Sequence, residues 1–269
     1  MISVNFARCL AKISGDGYLS KKYVRYSNTC SVLIEEFVKD MEQEFSFVHF
    51  TKGTTNTGTP FVQFSNKAIT EQFLNHLPDF HSSAIYIPES VKKVGKHVKR
   101  EYIRAFYDDE GCAALRIFGK TKEWKRNITL TSNSLQMLEE IKSVFLIDFS
   151  IACNKIIRNK KQDRAYVLGI SGKENITKFY REIGFIHPKK KELLDIMLKS
   201  YGVTYARSPN RFVELESQLD IIKKRAPVPK KGGQLSGFPA QCSTHQNDGL
   251  LNSHVDELSA SKPCSNGNG

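Results

Sequence analysis

Residues 9–17 read CLAKISGDG, and residues 103–111 read IRAFYDDEG. Each stretch predicts an apolar helix that contains a small residue and closes on a carboxylate followed by a glycine. A glycine can take the left-handed backbone conformation that ends many helices, so Gly17 and Gly111 are the predicted helix ends. The same ending occurs twice, which indicates a fold built from two similar halves.

The segments around the two motifs follow one order of predicted elements: helix, hairpin, helix, hairpin, helix. The first half predicts helices at 3–16, 30–45 and 66–77, and hairpins at 18–28 and at 47–50 with 61–64. The second half predicts a helix ending at Gly111, strands near 112–118, 125–131, 148–157 and 164–171, and helices at 134–146 and 174–184. We therefore expect an α+β fold of two α-β-β-α-β-β-α repeats related by a pseudo-twofold axis, with antiparallel sheets.

Composition divides the chain further. An extra helix is expected at 188–206, and from residue 226 onward Pro, Gly, Ser and Asn replace any periodic pattern, which is typical of a disordered tail. The predicted segments are a first repeat at 1–84, a linker at 85–98, a second repeat with the extra helix at 99–206, a C-terminal extension at 207–225 and the tail at 226–269.

Charge is spread unevenly over these segments. The net charge is +12, of which about +2 falls on residues 1–98 and about +10 on residues 99–225. A basic surface of this kind suits a polyanion such as nucleic acid. No apolar run is long enough to span a bilayer, so we expect no membrane partner. The six cysteines form no CxxC pair, which indicates a reduced intracellular, cytoplasmic protein.

The carboxylates Asp16 and Glu110 have the wrong sign for their position. A helix C-terminus carries partial negative charge and favours cations, so an acid there is unfavourable by a few tenths of a kcal/mol. Two such ends become sensible if divalent cations lie between them, because Mg²⁺ takes one or two carboxylates, several waters and substrate phosphates. Paired ions of this kind drive phosphodiester hydrolysis.

Small residues explain how the two helix ends can meet. Ala11 and Ala105 stand at equivalent positions, and Gly15 adds a second small surface. Together with Gly17 and Gly111, these residues let two helix backbones approach closely, which predicts a helix pair at the interface of the repeats.

LAKISGDG (residues 10–17) and YIRAFYDDEG (102–111) resemble the two motifs of single-chain LAGLIDADG homing endonucleases. YIPESVKK (86–93) followed by KREYIRAFYDDEG (99–111) is similar to the junction of archaeal and intein-type members, and FYREIGFIHPKKKELL (179–194) to the end of their second repeat. The resemblance covers about residues 3–200 and departs at Lys12, where an apolar residue is usual, and at Asp109, where a small one is usual.

The resemblance implies a metal-dependent, site-specific endonuclease whose two sheets form a saddle over a long, asymmetric double-stranded DNA target. It implies cleavage across the minor groove with short 3′ overhangs, and a monomer encoded by a mobile intron or intein. Asp16 and Glu110 match the metal-binding acids, which share two or more Mg²⁺ ions, with Mn²⁺ as a substitute. Members often place a lysine near each site, and Lys67 and Lys173 are the candidates because they enter the closing helix of each repeat.

Polar and basic residues on the hairpins complete the predicted site. Asn28 and Asn133 stand at matching places and are candidates for orienting water. A two-stranded ribbon fits the major groove, and basic residues at alternate positions share one face. The predicted DNA-binding residues are Lys21, Lys22, Tyr23, Arg25, Arg116, Lys120, Lys122, Lys125, Arg126, Lys155, Arg158, Lys160, Lys161 and Arg164.

Two functions stay open from the sequence. The first is an active homing endonuclease, which the retention of both acids favours. The alternative is a nucleic-acid-binding protein on the same scaffold, either a maturase that assists splicing of intron RNA or a regulator that has lost cleavage. A splicing-competent intein is disfavoured, because the flanking nucleophile and the His-Asn ending are not seen. Phosphate loops, hydrolase elbows and HExxH helices are absent from the sequence.

Overall fold

Two sets of elements follow each other in the same order, as the sequence predicts. The computed structural model describes residues 2–78, 81–119, 122–159 and 165–225, and the predicted disordered tail lies outside them. The first set is α1 (Val4–Asp16), β1 (Gly17–Leu19), β2 (Val24–Ser27), α2 (Ser31–Glu44), β3 (Thr51–Thr54), β4 (Pro60–Phe64) and α3 (Lys67–His76). The second set begins after the short helix α4 (Glu89–Lys92).

The second set repeats this order, with longer strands in its first hairpin. It comprises α5 (Lys96–Glu110), β5 (Gly111–Phe118), β6 (Glu123–Ser132), α6 (Leu135–Phe149), β7 (Ile157–Arg158), β8 (Tyr166–Ile170) and α7 (Lys173–Glu182). Two further helices follow, α8 (Pro188–Lys199) and α9 (Pro209–Lys224). The first matches the predicted extra helix but is shorter, and the second was not predicted as a helix. The limits of the repeats, linker and extension stay predictions.

Both sheets are antiparallel and share one strand order. The first runs β1-β2-β4-β3 and the second β5-β6-β8-β7. In the first, Gly17 pairs with Tyr26; in the second, Gly111 pairs with Leu130. Each sheet therefore begins at the residue that follows an acid-bearing helix, so the motif glycines stand at the junction of helix and sheet.

Local chemistry explains where the helices begin. The side chain of Ser3 accepts a hydrogen bond from the amide of Phe6 at 3.0 Å, which satisfies an otherwise unpaired donor of the first turn of α1. Asn66 caps α3 in the same way through the amide of Ile69, and Ser134 caps α6 through that of Met137. These polar side chains fix the helix starts that periodicity alone places only approximately.

The core lies between the helices and one face of each sheet. The alternating residues Val24 and Tyr26 of β2 are buried, as are Ile128 and Leu130 of β6. Full burial of such side chains stabilises the fold by about 1.5–3 kcal/mol each. The other face of each sheet carries the intervening residues, and we call it the outer face. Within the described ranges, no helix is long and apolar enough to cross a membrane.

Two predicted strands are wrong. Residues 47–50 form no strand, and β3 lies four residues later on a polar segment. The aromatic ring of Phe50 instead packs against Phe37 and Phe64, with ring centroids 6.3 and 5.8 Å apart. The strand expected over residues 148–157 is reduced to the two residues of β7: α6 continues to Phe149, and residues 150–156 form neither helix nor strand.

Candidate functional site

The helices α1 and α5 pack against each other and end side by side. Ala11 and Ala105 are buried in this pair, as the spacing predicts. A methyl group added to Gly15 would lie 2.9 Å from Cβ of Asp109, so the two backbones meet in their last turns. Asp16 and Glu110, the final residues of α1 and α5, therefore lie at the same end of the helix pair.

The motif glycines are required by space and not by a left-handed backbone. Gly17 has φ −94° and Gly111 has φ −86°, both in the extended region that any residue adopts. A Cβ at Gly17 would lie 2.4 Å from Cα of Ile13, and one at Gly111 would lie 2.6 Å from the carbonyl oxygen of Tyr107. The expected left-handed caps are thus wrong, and close packing against the preceding turn is the reason for glycine.

Asn28 joins the first acid to the second helix. Its Nδ2 donates to Oδ2 of Asp16 at 2.9 Å and to Oδ1 of Asp109 at 3.1 Å. The hydroxyl of Tyr26 also donates to Oδ1 of Asp109, at 2.7 Å. One amide therefore fixes the orientation of the Asp16 carboxylate relative to α5, and the role of Asn28 in orienting water stays a prediction.

The two departures from the motif lie in one buried polar network. Lys12 is fully buried, forms an ion pair with Glu36 at 2.9 Å and lies 5.3 Å from the ring centre of Tyr26. Burial alone would lower the pKa of Lys12, but the charges of Asp109 and Glu36 outweigh it and raise the pKa. Burial, and then the charge of Asp16, raise the pKa of Asp109 well above its usual range.

The donor set at the helix ends fits a hard cation. Carboxylates of Asp16 and Glu110 are the oxygen ligands that Mg²⁺ prefers, and a site with two acids leaves places for water and phosphate. Oδ2 of Asp109 is buried beside them and accepts no hydrogen bond from the described residues. In the same ranges, no group of three or more His, Cys, Asp or Glu side chains could hold a metal ion by itself. Phosphate oxygens would have to complete the coordination.

The candidate lysines stand at equivalent places in the two repeats. Lys67 and Lys173 are the first residues of α3 and α7, so their equivalence agrees with the repeats. The register, however, sets Val62 beside Tyr26 and Gly17, and Lys67 follows five residues beyond Val62. The side chain of Lys67 is 88% exposed and lies 3.9 Å from Glu71. The register of the first sheet does not favour a catalytic role for Lys67, and the catalytic role of both lysines stays a prediction.

Asn133 is one residue away from the true counterpart of Asn28. The amide of Cys30 donates to Asn28 at 2.9 Å, and the amide of Ser134 donates to Ser132 at 3.1 Å. Ser132 thus occupies the place of Asn28 in the second half. Asn133 instead donates to the hydroxyl of Ser82 at 3.3 Å. The expected equivalence of the two asparagines is wrong.

Basic residues lie on the outer face of the first sheet. Arg25 donates to Oε1 of Gln63 through Nε at 3.0 Å and through a terminal nitrogen at 2.8 Å. Its guanidinium lies 5.3 Å from the ring centre of Tyr23 and 4.3 Å from that of Phe61. Lys21 and Lys22 are exposed in the turn between β1 and β2. This sheet therefore presents one fixed cation and two lysines on its turn.

The outer face of the second sheet carries a cross-strand basic pair. Arg116 of β5 and Lys125 of β6 are opposite each other, and both are exposed. Lys155 and Arg158, the latter on β7, are also exposed. The predicted residues Lys120, Lys160, Lys161 and Arg164 lie outside the described residues.

Arg126 and Lys122 depart from the predicted DNA face. Arg126 donates to the hydroxyl of Ser200 at 2.7 Å and to its carbonyl at 2.6 Å, so it ties β6 to α8 on the helix side. The ammonium of Lys122 lies 3.9 Å from Glu216 and 4.5 Å from the ring centre of Tyr205, beside α9. Both residues therefore contact the helices that follow the second repeat, α8 and α9. Arg126 does so because the alternation of β6 turns its side chain toward the helices.

Sequence reasoning missed Lys190 and an amide pair. Lys190 lies in a run of three lysines that gives it no distinct signal, yet it contacts the last turn of α5. Gly169 leaves room on the outer face for the amides of Asn127 and Asn154, whose nitrogen and oxygen atoms would be 3.1–3.6 Å from an added Cβ. Strand alternation could have indicated Asn127, whereas only the fold identifies Lys190.

The profile of the LAGLIDADG-like domain matches residues 97–184, which span the acid-bearing α5, the second sheet and α7. This part of the chain is thus similar to a LAGLIDADG-like domain. The resemblance read from the two motifs is therefore confirmed, and the α+β fold with two four-stranded sheets agrees with it.

Solved structures share the fold of this chain over about two thirds of its length or more. The homing endonuclease I-DmoI, in complex with DNA and Ca, superposes with a TM-score of 0.52 at 16% identity, covering 71% of this chain and 97% of that chain. Its complex with DNA and Mn gives 0.50 at 18% identity, covering 67% and 96%. Full-length DUF199/WhiA from Thermatoga maritima gives 0.50 at 13% identity, covering 82% and 68%.

A curated relative matches a similar length of the chain. The Replication factor C small subunit of Thermococcus kodakarensis is 27% identical over 191 residues, which is 69% of this chain. The match spans 20% of that protein, so the chain corresponds to about a fifth of the relative's length.

Proposed function

We propose that the protein is a site-specific, metal-dependent endonuclease of double-stranded DNA. One observation carries the proposal: two packed helices end side by side on Asp16 and Glu110, at the residues where two sheets with basic outer faces begin. Acids at negative helix ends cost stability, and a cation shared with DNA phosphates would offset that cost.

The residues would divide the work as follows. Asp16 and Glu110 would hold divalent cations, Mg²⁺ by the hardness of the ligands and Mn²⁺ as a substitute; I-DmoI has been solved with Mn and with Ca. Bound ions would activate water and stabilise the charge of the leaving oxygen. Asn28 keeps the Asp16 carboxylate oriented. Lys67 and Lys173 stay candidates for charge stabilisation, each at the start of its helix.

The two outer faces would bind a long, asymmetric duplex as a monomer. Cleavage across the minor groove with short 3′ overhangs is part of the proposal. The chain is similar to about one fifth of a much longer replication protein, as expected for an element carried inside another gene. We propose that a mobile intron or intein encodes the chain. The monomeric state and the intracellular location stay predictions.

Cleavage of a selected target tests the proposal. Duplexes that bind the chain are recovered from a randomised library in Ca²⁺, cloned into a supercoiled plasmid and incubated with Mg²⁺. We expect linear product with the parent chain and none with EDTA. Binding without nicking or cutting in Mg²⁺ or Mn²⁺ would overturn the nuclease and favour the non-cleaving alternative.

The outer face is tested with a matched pair of arginines. Arg116→Gln should weaken DNA binding and reduce the slope of log affinity against log salt by about 1, because one phosphate contact is lost. Arg126→Gln should leave that slope unchanged, since its guanidinium faces Ser200. Equal effects of the two substitutions would contradict the assignment of the face.

A cleft on the helix side favours the maturase as a second candidate. The cleft has a volume of about 440 Å³, and its lining includes the cations Arg100, Arg104, Arg181 and Lys191 with Glu182 as its acid. Nε of Arg104 is buried and has no acceptor among the described residues. Intron RNA that binds without competing with target DNA, and that Arg181→Gln weakens, would support this function.

A further inference from the structure

The last turn of α5, which presents Glu110, is held by a helix that lies outside the repeated pattern. Nζ of Lys190 in α8 donates to the main-chain carbonyls of Tyr107 at 3.2 Å and Asp109 at 3.1 Å, and to that of Asp108 between them. These carbonyls belong to the end of a helix, where they lack a full set of intrahelical partners. A single ammonium therefore donates to three of them and offsets the negative end of α5; the carbonyl of Tyr107 also accepts from the amide of Gly111.

The contact is returned in the opposite direction. The carboxylate of Asp108, which is 1% exposed, accepts hydrogen bonds from the amides of Ile186 at 3.0 Å and His187 at 2.9 Å. His187 is the N-cap of α8, and the next residue is Pro188, which has no amide hydrogen. Each helix thus caps the other: α5 supplies an acid to the start of α8, and α8 supplies a cation to the end of α5.

The reciprocal capping of α5 and α8 fixes the backbone next to Glu110. Glu110 follows Asp109, whose carbonyl is bonded to Lys190, and Gly111 then starts β5. The backbone that sets the direction of the Glu110 side chain is therefore fixed from the helix side. At the end of α1, the contacts are made by side chains of the first repeat and of α5: Asn28, Tyr26 and Asp109.

We propose that Lys190 is a positioning residue for Glu110, and that α8 is an integral part of the cleavage site. This inference rests on the proposed nuclease function. Lys190 acts through the main chain of α5, and it does not itself touch DNA or the reacting atoms. Its removal should therefore impair the cleavage step while DNA affinity is kept.

The experiment compares Lys190→Met, Lys190→Arg and the control Lys199→Met, which removes an exposed lysine from the same helix. Cleavage rate at saturating protein, DNA affinity in Ca²⁺, melting temperature and the Mg²⁺ concentration for half-maximal cleavage are measured on the full chain. Lys190→Met should lose about 10- to 100-fold in rate, as supporting residues of metal sites do, with a higher Mg²⁺ requirement and accumulation of nicked plasmid. Lys190→Arg should recover part of the rate, and Lys199→Met should match the parent.

Three outcomes would decide against the inference. A rate for Lys190→Met equal to that of Lys199→Met would overturn it. Parallel losses of rate, DNA affinity and melting temperature would reduce Lys190 to a general stabilising residue, particularly if Lys190→Arg restores nothing. A parent chain that cleaves no selected target in Mg²⁺ or Mn²⁺ would overturn the nuclease function itself, and the two failures are distinguished by the activity of the parent.

Discussion

The ends of α1 and α5 carry the same motif but solve its electrostatic problem differently. Both helices close on an acid at the end that favours cations. In the first, the compensating lysine is inside the helix itself: Lys12 is buried one turn before Asp16 and paired with Glu36. In the second, the lysine comes from another helix, because Lys190 of α8 donates to the last turn of α5.

The difference shows how a repeated motif can diverge while its acids stay in place. The first end depends on a network of side chains, in which Asn28 joins Asp16 to Asp109. The second depends on reciprocal capping between two helices. Asp109 takes part in both, through its side chain at the first end and its carbonyl at the second. Damage to one arrangement should therefore affect mainly its own end, whereas damage to an acid should affect the shared site.

The largest expected effect comes from the acids. Asp16→Asn or Glu110→Gln should each abolish double-strand cleavage while DNA binding is retained, because both acids would share the same cations. Plasmid cleavage in Mg²⁺ and gel-shift affinity in Ca²⁺ measure the two properties. Full double-strand cleavage by either variant would contradict the metal-site assignment. It would also contradict the expectation that the acids at the ends of α1 and α5 are both required.

The next effect concerns the buried ion pair of the first end. Glu36→Ala removes the ion-pair partner of the buried Lys12 ammonium and leaves only the charges of Asp109 and Asp108 to favour it, among the described residues; it should lower the free energy of unfolding by about 3 kcal/mol. Lys12→Met replaces the charge by an apolar chain of similar length and should cost less. Urea denaturation of both variants checks the order, and a larger loss for Lys12→Met would show that the cation itself stabilises the fold.

A smaller effect is expected where the two ends touch. Gly15→Ala places a methyl group 2.9 Å from Cβ of Asp109 and should lower the unfolding free energy by about 1–3 kcal/mol through overpacking. Gly95→Ser, at a glycine with open space around it, is the control and should be close to neutral. In Asp109→Gly the same Gly15→Ala change should cost much less, and an undiminished cost would place the strain elsewhere.

The smallest effect is a pH dependence at the second end. Burial, and then the charge of Lys190, lower the pKa of His187 to about 4, below the value of about 6.5 for an unfolded histidine. The stability from neutral His187 is present above pH 6.5 and is lost as the pH falls toward 4. The stability difference between the parent and His187→Gln should therefore grow from pH 4 to 6.5, and a constant difference would refute it.

Asp108 acts in the opposite direction over the same range. Burial raises its pKa to about 6, despite the amide hydrogen bonds and nearby lysines that favour the ionised form. Its contribution to stability falls as the pH rises from about 4 to 6. Because both chains of the comparison contain Asp108, the difference between them isolates His187.

The sequence predicts the repeats well because helix endings and apolar periodicity are local signals. The positions of α1, α5 and the first strands after them follow from the motif glycines, although those glycines are needed for space. The strand predicted at residues 47–50 is wrong because the same aromatic residues occur in strands and in loops that pack against the core. Phe50 belongs to such a loop. The strand β3 is polar and lacks the apolar alternation from which a strand can be predicted.

The site is less predictable because it depends on which elements meet. Residue type makes Asn133 the expected equivalent of Asn28 in the second repeat. The strand register and the matching amide contacts show that the equivalent residue is Ser132. Lys12 and Asp109 look like independent departures from the motif, and only the packed helices show that they share one network. Lys190 belongs to a run of three lysines, and nothing local distinguishes it from its neighbours.

The first hairpins of the two sheets differ greatly in length. The hairpin strand β5 has eight residues and spans about 27 Å, whereas β1 has three and spans about 10 Å. Both start next to an acid, so the longer arm extends much farther from the paired helix ends, where the proposed cleavage would take place. The stretch of DNA protected from hydroxyl radicals should accordingly be lopsided, with the break nearer the border covered by the first sheet.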